Sequence, residues 1–493
     1  MFPNLCHIFS KCAVLLPQSL RYPCSQSAMT GITLLRSWVT AAFMSLQASL
    51  SLAADLPAAV THETFPTPGT TSVLLGRDLF FDPILSGNRN ISCATCHHPS
   101  LGSADGMSLA LGEGGLGLGA ARSADPANIP PRLIPRNAPA LFNLGAREIT
   151  TLFHDGRVSR DDSTRFGIRM PEGFALERPA PTLLAAQALL PLMSHDEMAG
   201  QPGENPVADA VAAGEIRGLH GAWEMLAARV EATPDYRRRF DAILGPDEPV
   251  HISDIGRALA NFIAYEFRSS DSPFDAYLLG QSDALSPRQI AGMTLFYGKA
   301  QCSSCHSGTF QTDQKFHALG LPPLGPGKTR GLYGGEDHGR SYVTGDTTDS
   351  YRFRTPSLRN VTLTAPYGHN GAYTRLEDMV RHHLAPAEML ARYTPNRARL
   401  PQLASPEADP YRPDPRELAR IEAAIDIAPV TLTDPEVAAI LDFLKSLEDP
   451  VMAGGGRLGP PPRVPSGLPL DPAPSPLPTP AAGPDLLAAL ARP

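Results

Sequence analysis

Cysteine is scarce in this chain, with seven among 493 residues. Cys6, Cys12 and Cys24 precede Met29, and the other four fall in two short clusters. A disulfide-stapled body is therefore excluded. Tryptophan is scarcer still, at two. Positive charge is outnumbered, with 42 Lys and Arg against 50 Asp and Glu and a formal charge of −8. Arginine is scattered, so no basic patch speaks for nucleic acid. Strand signals are few, and no short repeat runs through the chain.

A long apolar run is also missing. The nearest to one, residues 37–50, is short and interrupted by Gln47 and several serines. It reads as an export signal rather than a membrane span. Arg36 supplies the positive end, and Ser51-Leu52-Ala53 fits a small-x-small cleavage site. Residues 1–53 are thus expected to be a pre-segment, with translation starting at Met29, and the working compartment is expected to be the periplasm. Without that segment 39 basic groups face 50 acidic ones, a formal charge of −11. An acidic surface suits a basic partner.

The four remaining cysteines define what is present: Cys93-Ala94-Thr95-Cys96-His97 and Cys302-Ser303-Ser304-Cys305-His306. A zinc half-site would need further ligands nearby, and a redox dithiol would need a βαβ setting. Neither surrounds either motif. Cys-x-x-Cys-His is the attachment signature of a c-type haem, whose vinyl groups take the two thiols. His97 and His306 are then the proximal iron ligands. The spacing of the motifs predicts two cytochrome-like units in tandem, over 54–270 and 271–449.

The class is mainly α. Ser253 is expected to cap a helix from Ile255 to about Phe267. Ser286 and Pro287 open another, leading into the second motif. Thr374 and Glu377 form a capping-box pattern before a helix ending at Leu384. Asp434-Pro435 starts a last one with Val437, Ile440, Leu441 and Leu444 on its core face. Long Gly/Pro-rich loops are expected at 99–140 and 318–350, and a Pro-rich disordered tail at 450–493.

The flanks of both motifs resemble the bacterial dihaem cytochrome c peroxidase and MauG family. The matching segments are Leu75-Gly76-Arg77-Asp78-Leu79-Phe80-Phe81-Asp82-Pro83, Pro135-Arg136-Asn137-Ala138-Pro139 and Phe153-His154-Asp155-Gly156-Arg157. In the second half they are Val343-Thr344-Gly345, Thr355-Pro356-Ser357-Leu358-Arg359-Asn360-Val361 and Leu363-Thr364-Ala365-Pro366-Tyr367-Gly368-His369-Asn370-Gly371. The resemblance spans about residues 70–447. It implies an N-terminal haem that meets hydrogen peroxide and a C-terminal six-coordinate haem that relays electrons.

Several roles follow from that resemblance. The distal ligand of the second haem aligns with His383, with His382 and Met379 as alternatives. Gln187 and Glu197, ten residues apart, match the family's glutamine and acid/base glutamate. Asn137, Thr364 and Pro366 match a calcium site between the haems. The loop position that holds a capping histidine in the peroxidases carries Glu113, which implies an open iron at the first haem. His98 is expected to be structural or exposed.

The departures are equally informative. His154 stands where relatives have an inter-haem tryptophan. Ala300 stands where MauG has a tryptophan two residues before the second motif. Trp223 is the only tryptophan after the pre-segment. The insertion after Arg157 and the Glu197-Met198-Ala199-Gly200-Gln201 segment look most like the MbnH-like branch, whose members oxidise a tryptophan on a partner protein. Three functions compete: a MauG/MbnH-like oxidase of a protein partner, a peroxidase fed by a small cytochrome or cupredoxin, and a non-enzymatic dihaem electron carrier. Gln187 and Glu197 weigh against the last, since a carrier needs no proton shuttle.

Overall fold

A computed structural model describes residues 56–328, 335–401, 403, 411 and 414–472. The expected export segment lies outside the described residues. The architecture is mainly α, and the strands are two or three residues long, in three small antiparallel sheets.

Two helix crossings organise the chain. Helix Thr70–Phe81 packs on helix Ile252–Glu266, and helix Pro287–Tyr297 packs on helix Asp434–Lys445. Both crossings have the same contact at their centre. A Cβ on Gly76 would lie 1.9 Å from the Ala258 carbonyl oxygen and 2.9 Å from Phe262. A Cβ on Gly292 would meet Ala439 and Phe443 at the same two distances. Glycine lets the backbones touch, and a phenylalanine one turn further on covers the contact. Each crossing brackets one haem motif in the chain, giving the two tandem units expected. The units are closely joined, because the described residues from Pro57 onward form one compact body.

Helix ends differ from the sequence reading in two places. Helix Ile252–Glu266 begins earlier than expected, with the Asp254 carboxylate accepting from the His251 N–H at 3.2 Å. Ser253 is buried inside the helix rather than capping it. Helix Leu376–Leu384 has no Thr374–Glu377 box. Glu377 accepts instead from Arg375 at 2.8 Å and Arg381 at 2.9 Å, because two guanidiniums compete better for a carboxylate than one amide does. Ser286 and Gln289 do form the expected reciprocal cap, and helix Asp434–Lys445 starts where expected, with Phe443 as its largest buried residue.

The expected disordered tail needs correction over residues 450–472. This stretch lies against the N-terminal unit, burying Met452 and Val464. It also donates to buried carboxylates of that unit. Glu266 accepts from the Leu458 N–H at 2.7 Å, and Asp82 accepts from the Ser466 hydroxyl at 2.6 Å. Asp471 accepts from the Thr95 hydroxyl, inside the first haem motif. Composition hides this role, since few apolar residues suffice when the anchors are polar. The remainder of the tail lies outside the described residues.

The Gly-rich loop after the first motif carries another buried carboxylate. Asp105 Oδ1 accepts from the Met107 N–H at 2.9 Å, while Oδ2 has no partner. Burial pushes this acid up to about 7.

Two measurements check these points. Gly76→Ala and Gly292→Ala each force a methyl into a carbonyl and should cost about 1–3 kcal/mol in denaturant unfolding; wild-type stability in both would refute the close approach. Asp105 has a raised folded-state pKa, so its folded form takes up a proton over the interval from 3.8 to about 7 and its stability contribution falls as pH rises through it. Asp105→Asn should therefore gain stability over wild type at pH 8 relative to pH 5; an equal difference at both pH values would remove the effect.

Candidate active site

The two Cys-x-x-Cys-His segments share one local design. His97 Nδ1 bonds the Ser103 carbonyl at 3.0 Å, and His306 Nδ1 bonds the Gln311 carbonyl at 3.0 Å. A carbonyl can only accept, so Nδ1 carries the proton and Nε2 is left as a metal ligand. Burial keeps both rings neutral: His97 is pushed down, and His306 falls to about 4. Burial also pushes the Cys93, Cys96 and Cys302 thiols up to about 12, away from a free nucleophilic thiolate.

At the second motif, Cys302, Cys305 and His306 line a cavity of about 640 Å³, a size suited to a cofactor. His383 faces His306 across it, with ring centroids 6.1 Å apart and a 58° tilt. His383 Nδ1 bonds the Met379 carbonyl at 2.9 Å, so its Nε2 is also left unprotonated. A metal taking one nitrogen from each ring at roughly 2 Å fits such a separation. His382 is placed differently. It is fully buried, its Nδ1 bonds the Tyr373 hydroxyl at 3.0 Å, and its Nε2 bonds the Leu319 carbonyl at 2.8 Å. Both of its nitrogens are engaged. Met379 lines the cavity and packs beside Tyr373.

The two residues expected to handle peroxide lie in the N-terminal unit. Gln187 lies on helix Leu183–Leu189, buried, with its Oε1 unpartnered. Glu197 follows on a single wide turn, His195–Ala199, whose amides converge on the Ser194 carbonyl. That turn is fastened on both sides. The Glu197 carbonyl accepts from the Glu113 N–H at 3.0 Å, and the Met198 carbonyl accepts from the Gly87 N–H at 2.8 Å. A Cβ on Gly112 would sit 1.9 Å from the Asp196 carbonyl oxygen, so the Gly-rich loop lies directly on the turn. The Glu197 carboxylate is close enough to help raise the Cys96 thiol.

Glu113 itself is clamped. Its Oε1 accepts from Asn88 at 2.9 Å, Asn90 at 2.6 Å and Asn128 at 2.7 Å. Sequence reasoning noticed Glu113 but missed this amide cradle, whose visible trace is the Gly87-Asn88-Arg89-Asn90 segment. It also missed Lys328, whose ammonium burial pushes down to about 8, with Glu197 and Asp155 opposing the shift. His98 is structural, its Nδ1 accepting from the Ser100 N–H at 3.2 Å.

Between the motifs, Asn137, Thr364 and Pro366 line the same cavity. Asn137 Nδ2 donates to the Pro366 carbonyl at 2.7 Å, and Asn137 Oδ1 is buried without a partner. His154 Nε2 bonds the Asn137 carbonyl at 3.1 Å, and burial pushes the ring down to about 4. Arg136 joins Asp155 at 2.6 Å to Asp337 at 2.6 Å. Ala300 lines the cavity and offers no ring, and Trp223 is a core residue of the N-terminal unit.

The family model for dihaem cytochrome c peroxidase matches residues 70–283. The methylamine utilization protein MauG of Methylorubrum extorquens is 30% identical over 334 residues, 67% of this chain and 74% of that one. The cytochrome c551 peroxidase of Pseudomonas aeruginosa is 29% identical over 309 residues, covering 62% of this chain and 69% of its own. Among solved structures, a MauG-like protein associated with microbial copper homeostasis superposes with a TM-score of 0.52 at 27% identity, over 80% of this chain and 94% of that one. With two haem-attachment segments on repeated helix crossings, this chain belongs to the dihaem cytochrome c peroxidase and MauG family and is a peroxidase-type oxidoreductase carrying two covalently bound c haems.

Proposed function

We propose that the protein is a periplasmic enzyme that reduces hydrogen peroxide at its N-terminal haem and draws the electrons through its C-terminal haem from a protein partner that it oxidises. The observation that carries this reading is the asymmetry of the two sites. His383 stands opposite His306, whereas beside the first motif the Glu197 carboxylate is close enough to raise the Cys96 thiol, and Glu113 is locked into asparagines. No histidine occurs between His98 and His154 to close that site.

The haems supply the redox chemistry when bound, and the chain supplies placement and protons. Reduction of one peroxide consumes two electrons and two protons and yields two waters. The Glu197 carboxylate moves a proton from the near to the far peroxide oxygen, so that water can leave. The unpartnered Gln187 amide orients the oxygens by hydrogen bonding. The fastened His195–Ala199 turn holds Glu197 in register, which limits reorganisation during the reaction. At the second site His306 and His383 would hold the haem iron with two strong neutral ligands, a set suited to electron transfer with little reorganisation. A non-enzymatic carrier would need neither Gln187 nor Glu197.

Asn137, Thr364 and Pro366 offer oxygen ligands of the kind calcium prefers, and the orphaned Asn137 Oδ1 favours an ion there. Equilibrium dialysis against calcium reports on it, and no retained ion would end the assignment. The partner is expected to carry basic groups, to match the acidic surface.

Glu197→Gln should slow peroxide consumption by roughly 10²–10⁴-fold with both haem absorption spectra intact; unchanged kinetics would remove Glu197 from the mechanism. His383→Ala should turn the second haem high-spin, and an unchanged spectrum would move the ligand elsewhere. Electron paramagnetic resonance of the resting wild type should show one high-spin and one low-spin iron. Two low-spin irons would sink the open-site reading.

A further inference from the structure

Three successive carbonyls of the Glu197 turn are each held from outside it. The last carbonyls of a helical turn have no partner within it, so they need other donors. The Glu197 carbonyl accepts from the Glu113 N–H at 3.0 Å, and the Met198 carbonyl accepts from the Gly87 N–H at 2.8 Å. The Ala199 carbonyl accepts from Asn205 Nδ2 at 2.9 Å. One short segment, Gly87–Asn90, stands behind all three. Gly87 holds Met198 directly, and a Cβ there would lie 1.9 Å from the Ala199 oxygen, so only glycine allows the approach. Asn205 caps helix Pro206–Ala212, its Oδ1 accepting from the Ala208 N–H at 2.9 Å. That cap fixes the amide, leaving Nδ2 to donate to Ala199 and to Asn88 Oδ1, also at 2.9 Å. Asn88 Nδ2 must then donate, and it does so to the Glu113 carboxylate at 2.9 Å. Asn90 donates to the same carboxylate oxygen at 2.6 Å, and it lies three residues before Cys93.

We infer that Gly87–Asn90 is a gauge that sets Glu197 against the haem attached at Cys93, with Glu113, Asn88 and Asn205 as positioning residues. The inference rests on the peroxide reading above and adds how its acid/base is placed. The thioether bond fixes Cys93 relative to the haem, and the short backbone run carries that position back to Asn90. Glu113 passes it across, since its carboxylate is held by the segment and its N–H holds the Glu197 carbonyl. A turn held by one bond can swivel about it. The added grips on Met198 and Ala199 remove that freedom. Glu113 therefore serves as an acceptor for amides and not as a second proton carrier. Proton transfer needs atoms at hydrogen-bond distance, so a small shift of the turn is felt strongly in the rate.

The test uses the diferric holoprotein, mixed in stopped flow with hydrogen peroxide and, separately, with hydrogen cyanide. Cyanide binds as the anion, so its acid must first give a proton to a base in the site. Carbon monoxide binding to the reduced protein needs no proton transfer and serves as the control. Glu113→Ala should slow the peroxide and cyanide reactions by about 10- to 100-fold and leave carbon monoxide association unchanged. Asn90→Ala removes one exposed amide, spares the core, and should move the same two rates in the same direction. Glu113→Gln keeps an oxygen acceptor for the asparagines and should recover most of the loss. If Glu113→Ala and Asn90→Ala match wild type while Glu197→Gln is slow, the gauge is overturned and the peroxide reading stands. Equal losses in Glu113→Gln and Glu113→Ala would make Glu113 a proton carrier and overturn its positioning role. Slowing of carbon monoxide by the same factor would mark a collapsed site and overturn it as well. If Glu197→Gln reacts with peroxide and cyanide as fast as wild type, the peroxide reading fails and the gauge falls with it.

Discussion

The Arg136 guanidinium is the tie on which the arrangement depends. It is buried and bonds Asp155, beside His154, and Asp337, in the C-terminal unit. Burial raises the cost of charging these groups, but their mutual attraction outweighs it: the two carboxylates keep Arg136 charged, Arg157 with Arg136 holds Asp155 well below the usual carboxylate range, and Arg136 does the same for Asp337. Removing one partner of such a set typically costs about 3–5 kcal/mol, because the remaining charge is stranded in a poor solvent. The next residue, Asn137, therefore has a fixed position, and with it the contacts to Pro366 and His154 that close the cavity between the two units.

Two units built on the same plan are made unequal around that tie. Each has a glycine-centred helix crossing and a histidine oriented by a carbonyl. In the second unit, helix Leu376–Leu384 brings a second imidazole over the cavity. In the first, the Glu197 carboxylate lies near Cys96, and the loop beside its turn is pinned through Glu113. On the reading proposed above, the difference separates a site for bond making and breaking from one for passing charge.

Much of this was legible in order along the chain. Cys-x-x-Cys-His is a local covalent requirement, so two copies announced two haems without any knowledge of the fold. Pro287 after Ser286, and Asp434-Pro435, marked helix starts because proline and capping residues act within a few positions. The misreadings were of another kind. Ser253 and Thr374 had capping neighbours in sequence, but burial claimed one and nearby arginines drew the partner of the other. The segment 450–472 looked structureless by composition, yet buried carboxylates on distant helices bind its amides and hydroxyls.

The choice between His382 and His383 shows where the division falls. By itself the sequence determined the cofactor class, the mainly helical tandem plan and a pair of histidines near the right place, because each depends on residue type and short spacing. Only the tertiary structure decided which histidine turns toward His306 and which is consumed by Tyr373 and Leu319. It likewise brought Glu113 to its three asparagines. These outcomes depend on partners far apart in the chain, whose meeting is set by how the helices cross.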